Sequence, residues 1–352
     1  MSSSIIRVAL SFLAIIYSSA IDAYLSLYKI GLKKSEKLSV PVVCVGNLTT
    51  GGTGKTPTTI AICKLLLAQG KRPAIILRGY GGANEYGCAV VSDGKRKLLA
   101  VSESGDEAQL LANALPEVPV IVGKDRIRSG KLAIERFAPD VIVMDDGFQH
   151  WRLHRDLDIA LLNSVAPFDN GWTVPRGMLR ESKKGLNRAQ IVLLTNSHRA
   201  GPKQVEAVKN QVTRLAPNAK VFLSELTVSG VKQSVSGEMC NLDTVKQNKF
   251  AAFSAIGNPA SFEHLLEEIG LKLVKCFRYR DHETLNLSEM LTLSSEAKAA
   301  GADAIITTEK DYVKLPEFKS DVPIYILEVE MKIECESEFI QRVGEEIGWN
   351  DA

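Results

Sequence analysis

The sequence predicts an α/β protein in two parts: a doubly wound sheet domain, then a smaller second α/β domain joined to it by a β hinge, with an apolar helix in front. Three observations predict it. From Val40 onward, short runs rich in β-branched residues alternate with longer segments of helical spacing. Those runs are continuously apolar, as strands of a parallel sheet buried on both faces must be. The pattern breaks over a polar, glycine-containing stretch between residues 227 and 249, then resumes.

Size and charge agree with this outline. The chain has 352 residues, and at roughly 150 residues per domain that is about two domains. Lys plus Arg is 43 and Asp plus Glu is 41, with 45% hydrophobic residues. This balance excludes bulk disorder and a strongly basic nucleic-acid binder. Cys44, Cys63, Cys88, Cys240, Cys276 and Cys335 lie far apart, with no CxxC pair or zinc-type cluster. They read as single thiols of a reducing compartment.

Residues 1–38 form the first segment. Between Arg7 and Asp22 runs an uncharged, mostly apolar stretch of 14 residues, Val8 to Ile21, short of the roughly 20 that cross a bilayer as a helix. It fits a helix lying on or partly in a membrane, a signal peptide ending at Ser18-Ser19-Ala20, or a helix packed on the protein's own core. Helical spacing continues through Tyr24, Leu25, Leu27, Tyr28 and Ile30 and ends among Lys29, Lys33, Lys34 and Lys37. Those lysines suit an anionic cytoplasmic leaflet.

Residues 39–226 read as the first domain, with strands at Val40–Val45, Ala74–Leu77, Val118–Val122, Val141–Met144, Ile159–Leu162 and Ile191–Leu194 and a last apolar run at Lys220–Leu223. Cys88 to Val101 reads as a hairpin excursion at the sheet edge, turning at Ser92-Asp93-Gly94-Lys95. Residues 227–249 read as hinge strands. Residues 250–352 supply strands at Phe250–Ile256, Leu271–Tyr279, Ala304–Thr307 and Ile324–Val329 and helices at Ser261–Ile269, Ser288–Ala300 and Cys335–Ile347.

The first strand runs into Gly46-Asn47-Leu48-Thr49-Thr50-Gly51-Gly52-Thr53-Gly54-Lys55-Thr56-Pro57, followed by a helical stretch, Thr58 to Gln69. A strand, a glycine-rich turn and a helix N-terminus cradle phosphates on backbone N–H groups; a lysine reaches the β/γ oxygens and a hydroxyl holds Mg²⁺. The first domain is therefore P-loop NTPase-like. Thr49, Gly51, Gly52, Thr53, Gly54, Lys55 and Thr56 are its nucleotide-binding candidates. Thr49 stands where the strict GxxxxGK[ST] pattern has glycine, so the loop is a variant. At the end of a buried strand, Asp145 or Asp146 is the expected Mg²⁺ partner, by direct contact or through water.

Other residues must decide the reaction, because P-loops serve kinases and nucleotide switches alike. Gly105-Asp106-Glu107 sets two carboxylates at a helix start, where capping is the plain alternative. Pro175-Arg176-Gly177-Met178-Leu179-Arg180-Glu181 combines arginines suited to phosphate charge with an acid suited to metal, and otherwise reads as a solvated turn. His282 follows Asp281 just after a strand, as a proton-transfer candidate or a surface histidine. Thr307-Thr308-Glu309-Lys310-Asp311 ends another strand, where a nucleotide contact, a domain contact or a helix cap all fit.

Together these segments resemble the tetraacyldisaccharide 4'-kinase family of lipid A biosynthesis. The match runs through Gly46 to Pro57, Ser104 to Leu110, the distinctive DDGFQHWRLHRDLDI of Asp145 to Ile159, Pro175 to Glu181, Arg280 to His282 and Thr308 to Asp311. The resemblance implies transfer of a phosphoryl group from ATP, with Mg²⁺, to the 4'-hydroxyl of a lipid A precursor disaccharide 1-phosphate. It implies a monomer at the cytoplasmic face of the bacterial inner membrane, held there by the N-terminal helix, and no nucleic-acid partner. It makes Asp106 the base, His282 its dyad partner, Lys55 and Arg180 the neutralising charges, and Thr56, Glu107, Asp145, Asp146 and Glu181 the metal and phosphate region. One departure is Glu283 after His282, where the family commonly carries a second histidine.

Overall fold

The computed structural model describes residues 2–349; Met1 of the first segment and the last three residues of the 250–352 segment lie outside the described residues. The chain opens with helix α1 (Ser2–Lys29). It is longer than the uncharged run because Asp22 is a single charge in a continuing helical pattern. No strong breaker comes before Gly31, whose φ of +77° ends it. Residues 6–29 are long and apolar enough to cross a membrane, with mean hydropathy 1.7.

The first half then alternates strand and helix: β1 (Val42–Asn47), α2 (Lys55–Ala68), β2 (Pro73–Leu77), β3 (Ala89–Asp93), α3 (Val101–Ser104), α4 (Asp106–Ala114), β4 (Pro119–Val122), α5 (Arg126–Phe137), β5 (Val141–Asp145), β6 (Leu157–Asn163), β7 (Ile191–Thr195) and α6 (Ser197–Leu215). The second half holds β8 (Lys220–Gln233), β9 (Met239–Cys240), α7 (Leu242–Val245), β10 (Lys249–Ser254), α8 (Pro259–Glu268), β11 (Lys272–Arg278), α9 (Leu287–Ala299), β12 (Ala304–Thr308), α10 (Glu309–Tyr312), β13 (Ile324–Ile333) and α11 (Glu336–Glu346).

All these strands join one sheet in the order β11-β10-β12-β13-β8-β7-β6-β1-β5-β2-β4-β3, with β9 beside β8. Pairing is parallel except at β3/β4, β8/β13 and β8/β9. The first four residues of β8 pair parallel to β7, and from Ser224 onward the same strand pairs antiparallel to β13. The polar stretch after residue 226 thus begins inside an unbroken strand. Its polar side chains are tolerated because many of them are only partly buried.

The expected edge hairpin forms only in its first arm. β3 pairs with β4 at the sheet edge, while the second arm is reduced to a bridge between Ser92 and Lys97. The start of α3 at Val101 leaves that arm no room.

Both sheet faces are covered. Val43, Val45, Ile62, Leu66 and Leu111 pack with Phe339 and Val343 of α11 on one face, and Val42, Ile76, Ile142 and Ala133 pack on the other. Burying Ile62 and Leu66 fully contributes about 2 kcal/mol each and holds α2 behind the glycine-rich loop. Phe250, Phe262 and Leu266, and separately Phe253, Met290 and Leu293, form the two cores of the second half.

α1 docks by a narrow face. Ala14 and Leu25 are buried, and the Thr173 hydroxyl donates to the Ala14 carbonyl at 3.0 Å. Tyr17 donates its hydroxyl to the Arg180 carbonyl at 3.0 Å. Ile6, Val8, Phe12, Leu13, Ile15 and Ile16 face outward, each at least 50% exposed.

Candidate active site

The carboxyl ends of the parallel strands converge on one cleft, the usual ligand position in an open α/β sheet. It encloses about 1350 Å³ and is lined by the glycine-rich loop, Glu107, Asp145, Asp146, His282 and Lys310, among others.

The loop is held by its neighbours. Gly51 (φ +98°) and Gly54 (φ +84°) take left-handed conformations that only glycine adopts at little cost. Thr49 instead bridges to Leu179 in extended pairing, so that position needs no glycine. Thr50 N–H donates to the Met178 carbonyl at 2.7 Å, and Asn47 Nδ2 donates to Thr53 Oγ1 at 2.8 Å. Helix α2 begins three residues earlier than the spacing suggests, so Lys55 and Thr56 occupy its first turn.

The two adjacent aspartates part company. Asp145 ends β5, is 2% exposed, and accepts from Thr56 Oγ1 at 3.2 Å and Thr59 Oγ1 at 2.9 Å. Burial, with the nearby charges of Glu107 and Asp146, pushes its carboxyl up to about 7. Asp146 has φ +49°, which turns it away toward Arg180 Nη1 at 2.9 Å and Lys55 Nζ at 3.8 Å. Burial is the largest influence on it and pushes upward, but Lys55, Arg180 and Arg126 together hold it below the usual carboxylate range.

The structure does not gather the five expected metal-region residues into one ligand set. Glu181 is buried against Arg188, with Nη2 to Oε1 at 2.6 Å and Nη1 to Oε2 at 2.8 Å, and also accepts from Gln149 at 2.8 Å. Both its oxygens are spoken for, and it does not line the cleft. Among the described residues no group of three or more His, Cys, Asp or Glu side chains is placed to hold a metal ion. Thr56 and Asp145 remain as a hydroxyl and a carboxylate at the cleft floor. That donor set fits Mg²⁺, which takes one or two carboxylates and completes its shell with phosphate oxygens and water.

On the other wall, Asp106 is the first residue of α4, with Oδ1 accepting from the Glu107 N–H at 2.8 Å. His282 Nδ1 lies 2.9 Å from its Oδ2. With the Nδ1 proton donated to the carboxylate, Nε2 is the accepting nitrogen, a tautomer assigned from this geometry. Asp106 is 5% exposed, and His282 faces the cleft in front of it. Burial pushes Asp106 upward most strongly, yet the His282 hydrogen bond and the Lys310 and Lys314 charges hold it below the ordinary range. The same bond raises His282 above 6.5 against the effect of burial.

Apart from Asp106, Arg176, Glu181, Thr307 and Asp311, the site candidates named from sequence line this cleft or its loop; Thr49 flanks the loop at the Leu179 bridge, and Arg176 turns instead to Ser11 Oγ at 2.7 Å. Sequence reasoning included Lys310 and Gln149 in its motifs without giving either a role, and missed Lys314 and Arg126. Lys310 Nζ lies 3.3 Å from His282 Nε2 and 3.4 Å from Glu107 Oε1. Lys314 joins Asp311 at 2.9 Å and Asp106 at 3.9 Å. The one signal was their place in and just after the segment that ends β12.

The model of the family described as Tetraacyldisaccharide-1-P 4'-kinase matches residues 6–347. The chain belongs to this family. Among tetraacyldisaccharide 4'-kinases, that of Geobacter metallireducens is 39% identical over 331 residues, covering 93% of this chain and 95% of that one. That of Syntrophus aciditrophicus is 39% identical over 319 residues, covering 88% and 84%. Among solved structures, an "apo" form of LpxK from Aquifex aeolicus in complex with ATP superposes with a TM-score of 0.76. It is 29% identical, with 97% of this chain and 99% of that one covered. The family kinship thus spans both halves of the sheet and both walls of the cleft.

Proposed function

We propose that this tetraacyldisaccharide 4'-kinase family member transfers the γ-phosphoryl group of ATP to the 4'-hydroxyl of a tetraacyldisaccharide 1-phosphate, giving the 4'-phosphorylated lipid A precursor. One observation carries the reading: a phosphate-binding loop and an Asp–His dyad from opposite ends of the chain face each other across a single cleft.

The 4'-oxygen attacks the γ-phosphorus, the bond to the bridging oxygen breaks, and ADP leaves with that electron pair. The hydroxyl proton passes to the Asp106–His282 dyad, Asp106 supplying the negative charge and His282 Nε2 facing the cleft. Such a loose transition state needs positioning and charge neutralisation more than a strong base. Lys55 serves the β/γ oxygens and Arg180 developing charge, both organised by Asp146. Thr56 and Asp145 would hold Mg²⁺, which neutralises phosphate charge when bound, with Glu107 facing them. Glu181 acts behind the site, fixing Gln149 and, through Arg188, the Phe148 backbone.

The outward apolar face of α1 supports attachment to the cytoplasmic face of the inner membrane, where both ATP and a lipid acceptor are within reach. Residues 39–226, with α11 packed on them, and residues 250–322 act as two lobes that the 227–249 hinge lets close, and the site is complete within a monomer. The test is mass and phosphorus analysis of the lipid after incubation with ATP in detergent micelles. One added phosphate ester at the 4' position per ADP formed supports the reading; ADP formation with unmodified lipid contradicts it.

A further inference from the structure

We propose that Lys310 is a second phosphate-binding lysine, brought by the C-terminal half to the γ-phosphoryl group of the nucleotide, and that its departure uncovers His282 Nε2; this rests on the kinase reading above. Lys310 sits in the first turn of α10, directly after β12, with its side chain 19% exposed and facing the cleft. Its ammonium makes three contacts, all long: 3.3 Å to His282 Nε2, 3.4 Å to Glu107 and 3.6 Å to Asp281. A settled ammonium–carboxylate bond measures about 2.7–2.9 Å. Lys314, one turn on, has such a bond, at 2.9 Å to Asp311.

The lysine of the glycine-rich loop lies in the cleft in the same unsettled way, with Lys55 Nζ 3.8 Å from Asp146. Two buried ammonium groups that hold no short partner are what a polyphosphate chain requires, because its oxygens then outbid the resting contacts. The C-terminal half already reaches the loop. A Cβ built on Gly257 would stand 3.6 Å from Gly52 N and 3.2 Å from Asp281 Oδ2. Burial disfavours the Lys310 charge, but Glu107, Asp106 and Asp281 together keep it protonated.

The resting contact also has a consequence for the dyad. While Lys310 donates to Nε2, that nitrogen has no lone pair free for a hydroxyl proton. Transfer of the ammonium to a γ-phosphate oxygen frees it, so the base becomes available only when a triphosphate is present.

The experiment measures equilibrium binding of ATP and ADP, each with Mg²⁺ and without lipid, to the full-length protein and to Lys310→Met, Lys310→Arg and Lys55→Met. Lys310→Met is expected to bind ATP about tenfold more weakly and ADP unchanged, with kcat for lipid phosphorylation down ~10²-fold. Lys310→Arg is expected to regain part of the ATP preference, and Lys55→Met to weaken both nucleotides. ATP binding by Lys310→Met equal to wild type, or equal losses for ATP and ADP, overturns the proposal. Absence of lipid phosphorylation by the wild type contradicts the kinase reading instead, and the nucleotide comparison remains readable without it.

Discussion

Nδ1 of His282 lies 2.9 Å from Oδ2 of Asp106, across 176 positions of sequence. One residue begins a helix of the first half and the other follows a strand of the second, so the pair exists only when the two halves are together. Asp106→Ala is expected to lower kcat by ~10²–10⁴-fold while ATP affinity changes little. His282→Ala should cost less, and the double variant should fall short of the product of the two losses, as for groups acting as one unit. Steady-state kinetics with ATP titrations checks this; a matching loss of ATP affinity in Asp106→Ala would place the residue at the nucleotide instead.

Gly54 holds φ +84°, and a Cβ there would meet Met331 Cε at 2.8 Å. Gly54→Ala therefore costs about 1–3 kcal/mol of backbone strain, concentrated where the loop turns into α2. ATP binding should weaken at least tenfold with the melting temperature lowered by only a few degrees. Calorimetric titration beside thermal melting separates the two.

His150 is largely buried with Nε2 lacking a partner, and burial, with the Arg126, Arg155 and Arg152 charges, pushes it down to about 4. The folded state thus keeps it neutral, while the unfolded chain binds a proton near 6.5. The associated stability is fully present above 6.5 and is lost as pH falls toward 4, by on the order of 2 kcal/mol. His150→Gln removes that dependence, so its melting temperature should fall less than wild type between pH 7 and pH 4.5. Parallel melting curves in the two proteins would contradict the assignment.

Deleting residues 1–21 removes the outward apolar face of α1 and should shift the protein from the membrane pellet to the supernatant after sedimentation with anionic vesicles. It also removes Tyr17, whose hydroxyl reaches the Arg180 carbonyl, so activity on micellar lipid should fall several-fold as well. Unchanged pelleting would contradict a membrane role for this helix.

The strands were legible because a sheet covered on both faces leaves apolar runs such as Val141 to Met144 with no polar interruption. The loop was legible because phosphate binding confines the chemistry to one short segment. β8 was not, since its second half is partly exposed and carries no uninterrupted apolar signal. Nor was the fate of Glu181: its partner Arg188 is an ordinary arginine until Phe148, 3.6 Å from its guanidinium carbon, fixes it in place. Lys314 escaped, and Lys310 was given no role within its segment, for the same reason: a lone lysine acquires meaning only from what the fold sets opposite it. Thr49 looked like a defect in the loop, yet the two glycines that matter for backbone geometry are Gly51 and Gly54.

The central claim is phosphoryl transfer to a lipid across the cleft, and its most direct test follows labelled γ-phosphate from ATP into tetraacyldisaccharide 1-phosphate in detergent micelles. Wild-type protein is expected to label the lipid, with Lys55→Ala and Asp106→Ala folded but nearly silent. Lipid left unlabelled by the wild type while ATP is still hydrolysed, or full labelling by Asp106→Ala, would contradict the account.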